Sequence, residues 1–243
     1  MKKWFTLADA TKQLSGLKEI RYCAFTLAEV LITLGIIGVV AALSLPSMIN
    51  NSNKKELATA FQKQYSVLSQ AVLKVKYEDD LPIDFSNYNY KFHNILAKQY
   101  KVLQDCGSIN GNTGCILKDI DGKFSYYKNF TGGTLDRSYF DDGGFITADG
   151  TTLLFEQGSQ SEVTGILVTV DVNGYRKRPN KMGYDLFMFQ ITKEGKVLPM
   201  GGENTHLKNS KETLCSKTSN SNLNGYTCAY YALSDKDYFK NLK

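Results

Sequence analysis

The clearest pattern in the chain is an unbroken apolar run. From Val30 to Ile49 no residue is charged, and Leu31, Ile32, Leu34, Ile36, Ile37, Val39, Val40, Leu43 and Leu45 dominate. About 20 such residues are enough to cross the hydrocarbon core of a bilayer as a helix. A helix buried in a soluble domain is rarely apolar on every side over that length. Pro46 lacks an amide proton and is expected to kink or loosen this helix. Asn50-Asn51-Ser52-Asn53 reads as a break in helix propensity. A second helical pattern then runs from about Lys54 to Lys76, with Leu57, Phe61, Tyr65, Leu68, Val72 and Val75 at three- and four-residue steps. Lys55, Glu56, Gln62, Lys63, Ser66 and Lys74 take the opposite face.

Beyond this the period changes. Asp84 to Tyr90 reads as irregular, and Phe92 to Val102 as a short helix with Phe92, Ile95, Leu96 and Tyr100 on one side. From 143 to 200 the chain reads as strands. Phe145–Ala148 and Thr151–Phe155 flank Asp149-Gly150, a hairpin signal. Val163–Val172 is β-branched and runs into Asn173-Gly174. Tyr184–Thr192 is followed by Glu194-Gly195 and Lys196-Val197-Leu198. Strands joined by short turns predict an antiparallel meander, with the amphipathic helix packed on it. The expected fold is therefore α+β: a long N-terminal transmembrane and amphipathic helix on an antiparallel β-meander head. The segments are a leader at 1–24, a membrane helix at 25–49, an amphipathic helix at 50–76 and a head at 77–243. The sheet lies at about 143–200 and a polar, cysteine-bearing tail follows from Gly201.

Charge adds direction. The chain has 243 residues and a formal net charge of +5. Lys2, Lys3, Lys12, Lys18 and Arg21, against Asp9 and Glu19, put +3 of that excess into residues 1–24. The remainder is close to neutral, which weakens a nucleic-acid reading of the whole-chain charge. A basic segment ahead of an apolar helix stays in the cytoplasm and sends the downstream chain outward. An ordinary secretory signal cut near Ala42-Leu43-Ser44, and an uncleaved signal anchor, are the plainer alternatives.

The junction Cys23-Ala24-Phe25-Thr26-Leu27-Ala28-Glu29-Val30 and the run on to Ala42 resemble the prepilin motif of type IV pilins and type II secretion pseudopilins. That pattern is a basic leader, a small residue, Phe-Thr-Leu-x-Glu and an apolar helix; here it spans about the first fifth of the chain. The resemblance implies cleavage by prepilin peptidase between Ala24 and Phe25, and methylation of the new amine at Phe25. It implies an assembly role for Glu29 through the N-terminal amine of a neighbouring subunit, and a helix-kinking Pro46. A carboxylate at the edge of an apolar helix is costly in a bilayer, so a charged partner makes physical sense of it. The simpler reading leaves Glu29 at headgroup level. Ala24 departs from the usual glycine, and the leader is longer than in many pilins. The implied partners are prepilin peptidase, other pilin or pseudopilin subunits, an inner-membrane assembly platform and membrane lipid. The implied location is the inner (cytoplasmic) membrane, single-pass, with the head outside the cytoplasm, and afterwards a filament.

Removal of the leader would take Cys23 and leave Cys106, Cys115, Cys215 and Cys228. Their spacing gives two local couples, neither of them C-x-x-C. Export favours disulfides over buried thiols, though four cysteines allow three connectivities. Asp171, Asn173 and Asp185 offer oxygens to calcium, as in some pseudopilins; an Asn-Gly turn with solvated acids is the plainer reading, and EF-hand spacing is absent. No other cofactor is expected. Arg176, Lys177, Arg178 and Lys181, near Tyr175 and Tyr184, read either as a phosphate-binding patch of a DNA-uptake pilin or as a solvated hairpin tip. With His93 and His206 the only histidines, and no G-x-S-x-G, H-E-x-x-H or P-loop motif, no enzyme is expected. Three functions compete: a pseudopilin or minor pilin of a secretion or pilus filament, a pilin-like binding module for adhesion or DNA uptake, and a membrane-anchored enzyme that no motif supports.

Overall fold

A computed structural model describes residues 25–107, 126–158, 161–208 and 210–242. The chain divides into two units, Met1–Met48 and Ile49–Lys243. One helix, α1 (Leu27–Asp79), belongs to both.

In the first unit, α1 is hydrocarbon on every side. Each large apolar side chain from Val30 to Met48 is at least 41% exposed. Its hydroxyls turn back on the helix: Thr33 Oγ1 donates to the Val30 carbonyl (2.9 Å) and Ser44 Oγ to the Val40 carbonyl (2.8 Å). These hydroxyls are satisfied from within, as a lipid-exposed helix requires. Pro46 lies inside the helix, and helical structure continues through Asn50–Asn53, where the sequence predicts a break. Asn and Ser cost under about 0.7 kcal/mol each in a helix, too little to end one that good formers and buried contacts hold further on.

The second unit is built around a six-stranded antiparallel sheet in the order β1-β2-β3-β4-β5-β6. Its strands are β1 (Val102–Asp105), β2 (Gly143–Thr147), β3 (Thr152–Glu156), β4 (Ile166–Asp171), β5 (Leu186–Ile191) and β6 (Val197–Pro199). Short helices fill the connections: α2 (Phe85–Tyr88) and α3 (Phe92–Ala97) before β1, α4 (Ser161–Thr164) between β3 and β4, and α5 (Lys211–Leu214) and α6 (Cys228–Ser234) after β6. This is the α+β fold that the sequence predicts.

The sheet is covered on both faces, and strand alternation sorts its residues into two cores. Phe145, Leu153, Phe155, Val168, Phe187 and Phe189 share one with Phe61, Leu68, Val72 and Val75 of α1. Ile146, Leu154, Leu167, Leu186 and Met188 share the other with Tyr127, Phe140, Met200 and Tyr226. Cross-strand neighbours place Val168 between Phe155 and Phe189. On α1 the buried positions are Phe61, Gln64, Leu68, Ala71, Val72 and Val75. Leu57 and Tyr65, predicted on this stripe, are half-buried beside it, while the six predicted outer positions are exposed.

Several expectations change. Within Asp84–Tyr90, residues Phe85–Tyr88 form a helical turn, capped where Asp84 Oδ1 accepts from the Asn87 amide (3.2 Å), and the irregular backbone is confined to Asn89 and Tyr90. The helix expected over Phe92–Val102 stops at Ala97, and Val102 opens β1 instead. Residues 161–164 form α4, so β4 starts at Ile166 rather than Val163; Gly165 allows this with φ of +72°. The tail is polar only in composition. Its Tyr226, Cys228, Ala229, Tyr238, Phe239 and Leu242 are buried, and the Phe239 ring lies 5.8 Å from both Phe61 and Phe187.

Candidate functional site

The N-terminal end of α1 carries a reciprocal cap. The Thr26 amide and hydroxyl both donate to Glu29 Oε2 (2.8 Å each), and the Glu29 amide donates back to Thr26 Oγ1 (3.2 Å). This is the Thr-x-x-Glu capping box, a local signal in the sequence that an assembly reading of Glu29 passes over. It draws on one carboxylate oxygen only; Oε1 has no partner among the described residues. Phe25 is 84% exposed. Ala24 and the leader lie outside the described residues.

Cys215 is bonded to Cys228, with Cα atoms 5.1 Å apart, which ties the end of α5 to the start of α6. Cys106 is buried and disulfide-bonded. Cys115, its expected local partner, lies outside the described residues.

The acids weighed for calcium are not solvated. Asp171 and Asp185 are fully buried, and donors meet all four of their oxygens. Asp171 accepts from the Gly174 amide (2.9 Å) and the Tyr127 hydroxyl (3.0 Å). Asp185 accepts from the Asn180 and Lys181 amides (2.7 Å each). Each carboxylate pins the turn at its own end of the connection 172–185, and the Val172 amide joins the two ends through the Asp185 carbonyl (2.9 Å); this is a longer excursion than the hairpin read from Asn173-Gly174. Burial, then the Asp185 charge, drives the Asp171 carboxyl well above the usual carboxylate range. Burial pushes Asp185 up to about 6, against the amides that favour its charge. Asn173 is half-buried on the same turn, and its Nδ2 reaches the Arg178 carbonyl at 3.5 Å.

A second acidic group has no obvious motif. Asp141, Asp142 and Glu156 bring carboxylate oxygens within 4.8 Å of one another. Burial, then Asp142 and Asp141, raises Glu156 to about 7. Three hard oxygens suit a divalent cation or a shared proton equally. The pairing of Gly143 with Phe155 brings these acids together, and that register is not written in the local sequence.

Of the basic residues near 176–181, Lys177, Arg178 and Lys181 line one cleft with Lys54, and Arg176 stands apart from it. Arg176 donates to its neighbour Tyr175 at the hydroxyl (3.1 Å). Lys177 pairs with Glu56 of α1 (3.4 Å), and Lys181 sits 4.2 Å over the Tyr184 ring. Of the histidines, His93 is buried with Nδ1 2.6 Å from Gln157 Nε2, and burial lowers its pKa. His206 lines a cleft with Glu156 and Tyr139.

Comparison with family models, curated proteins and solved structures finds no match. The class therefore rests on architecture. One apolar helix long enough to cross a membrane continues as a helix packed on an open antiparallel sheet, and this resembles the generic pilin-like fold.

Proposed function

We propose that this chain is an exported structural subunit, a pseudopilin or minor pilin, of a type II secretion or type IV pilus-like filament. Prepilin peptidase removes residues 1–24, Phe25 becomes the methylated terminus, and α1 anchors the chain in the inner membrane with its head outside the cytoplasm. An assembly platform then moves it into a filament alongside other subunits. The observation that carries this reading is the state of α1. The head closes its own cores on both faces of the sheet, while the apolar part of α1 from Val30 to Met48 stays exposed on every side. Lipid, and then the helices of sibling subunits, supply what covers it. Glu29 Oε1 is left for the amine of a neighbour, and pairing there sets axial register.

The test is Glu29→Gln. Glutamine keeps the capping box and removes the charge. Membrane fractionation and N-terminal mass should match the wild type, while sheared-filament content and crosslinking between subunits fall. Unchanged filament incorporation would remove the role assigned to Glu29 and favour a simple membrane anchor.

A further inference from the structure

We infer that the cleft between the start of the head helix and the connection 172–185 binds the phosphate of an anionic phospholipid headgroup. The cleft has a volume of about 570 Å³. Its charged lining is Lys54, Lys177, Arg178 and Lys181, against the single acid Glu56. Lys177 takes up Glu56 at 3.4 Å and the buried Asp185 carboxylate acts on Lys181, so Lys54 and Arg178 remain without a charged partner among the described residues. The Arg178 side chain is exposed, and its guanidinium has no partner among the described residues. Lys54 Nζ is steadied by one contact, to the Lys240 carbonyl (3.0 Å), and keeps two further donors. Lys181 Nζ sits 4.2 Å over the Tyr184 ring, and both residues line the cleft. A planar guanidinium that shares a cleft with ammonium groups suits a phosphate monoanion.

The position in the chain selects the source of that phosphate. This step rests on the reading that Val30–Ile49 crosses the membrane. Twenty helical residues at about 1.5 Å span roughly 30 Å, the thickness of the hydrocarbon core. Lys54 follows Ile49 by five residues, or about 7.5 Å along the axis. The headgroup layer on each side of the core is of the same thickness, about 5–7 Å. The chain itself therefore keeps Lys54, with Asn50 and Asn53 beside it in the cleft lining, within reach of lipid phosphates. A nucleic acid would have to compete with a surface already present.

Native mass spectrometry of the full chain in mild detergent tests this, with equimolar phosphatidylglycerol and phosphatidylcholine as probes. Each basic residue at an anionic surface is worth about fivefold in partition. The wild type should prefer phosphatidylglycerol by about tenfold or more, and Arg178→Gln/Lys181→Gln should lose most of that preference. Lys54→Gln, at a half-buried helix position whose side-chain amide can still reach the Lys240 carbonyl, should lose part of it. Inorganic phosphate and a short single-stranded oligonucleotide should not displace the lipid. Variants that keep the wild-type preference would overturn the proposal. Displacement by the oligonucleotide would assign the cleft to nucleic acid, and displacement by phosphate would make it a free-anion site. Carbonate extraction of the same proteins separates the two readings. Release of the wild type from membranes would sink the anchoring on which the proposal rests. Retention of all forms without lipid selectivity would sink the headgroup site alone.

Discussion

Phe61→Ala tests whether the head holds α1 where the two cores require. Phe61 is fully buried, and its ring lies 4.4 Å from Phe187, 5.8 Å from Phe239 and 6.0 Å from Phe189. One side chain thus joins the helix, β5 and the C-terminal segment. Truncation removes its transfer energy and leaves a cavity among rings that cannot collapse onto it, a cost of about 3–5 kcal/mol. Loss of the aromatic pairs falls within that figure. For a domain of this size each kcal/mol lowers the melting temperature by roughly 2–4 °C, so the head should melt about 6–20 °C lower. The matched control is Leu73→Ala, on the same helix but 57% exposed, which should stay within about 0.5 kcal/mol of wild type. Near-ultraviolet circular dichroism of the full chain in detergent tracks the aromatic core directly. Equal melting of the two variants would refute the docking of α1 on this sheet.

Three further outcomes concern the head. Asp149 accepts from Lys63 (2.6 Å), Thr147 (2.5 Å) and the Thr151 amide, and although burial opposes its charge, these contacts hold its carboxyl well below the usual range. A depressed carboxylate stabilises the fold above about pH 4 and loses that contribution as pH falls further. Lys63→Met should therefore cost up to about 1 kcal/mol at neutral pH and nothing once Asp149 is protonated, as denaturant melts across pH would record. Asp171 and Asp185 have the opposite sign. Their raised values penalise the fold as pH rises above about 4, for Asp185 through about 6 and for Asp171 further, since its carboxyl is held well above the usual range. Asp171→Asn should match wild type near pH 4 and exceed it near pH 8, and an unchanged pH slope would contradict the buried pair. Cys215→Ser, which opens a bridge with a sequence separation of 13, should cost about 3 kcal/mol; thiol labelling of the denatured, unreduced wild type should leave Cys215 and Cys228 unmodified.

The elements that the sequence predicts well are those with a strong local signal. The apolar run and the Asp149-Gly150 turn appear where expected, and the β-branched stretch does so from Ile166 onward, because period and turn chemistry act within a few residues. Other features depend on partners far along the chain. The tail reads as polar because Tyr226, Tyr238 and Phe239 are scattered among serines and asparagines; only the folded chain brings Phe239 against Phe61 and Phe187. Gln64 breaks the apolar stripe, yet it is buried because Thr151 Oγ1 accepts from its Nε2 at 2.7 Å. The turn at Asn173-Gly174 is real but does not close a hairpin, since Asp171 and Asp185 hold open a longer excursion between them. At the N-terminal site the Thr26–Glu29 box is readable from spacing alone. The cleft at Lys54 and Arg178 is not, because its two sides are more than a hundred residues apart in sequence.

The mass of the mature N-terminus bears most directly on whether this chain is handled as a prepilin. Protein recovered from the membrane of the native host should begin at Phe25 and carry one methyl group on that amine, with residues 1–24 absent. A chain that begins at Met1, or one cut near Leu45, would contradict the account and leave the exposed apolar helix as an ordinary anchor or signal.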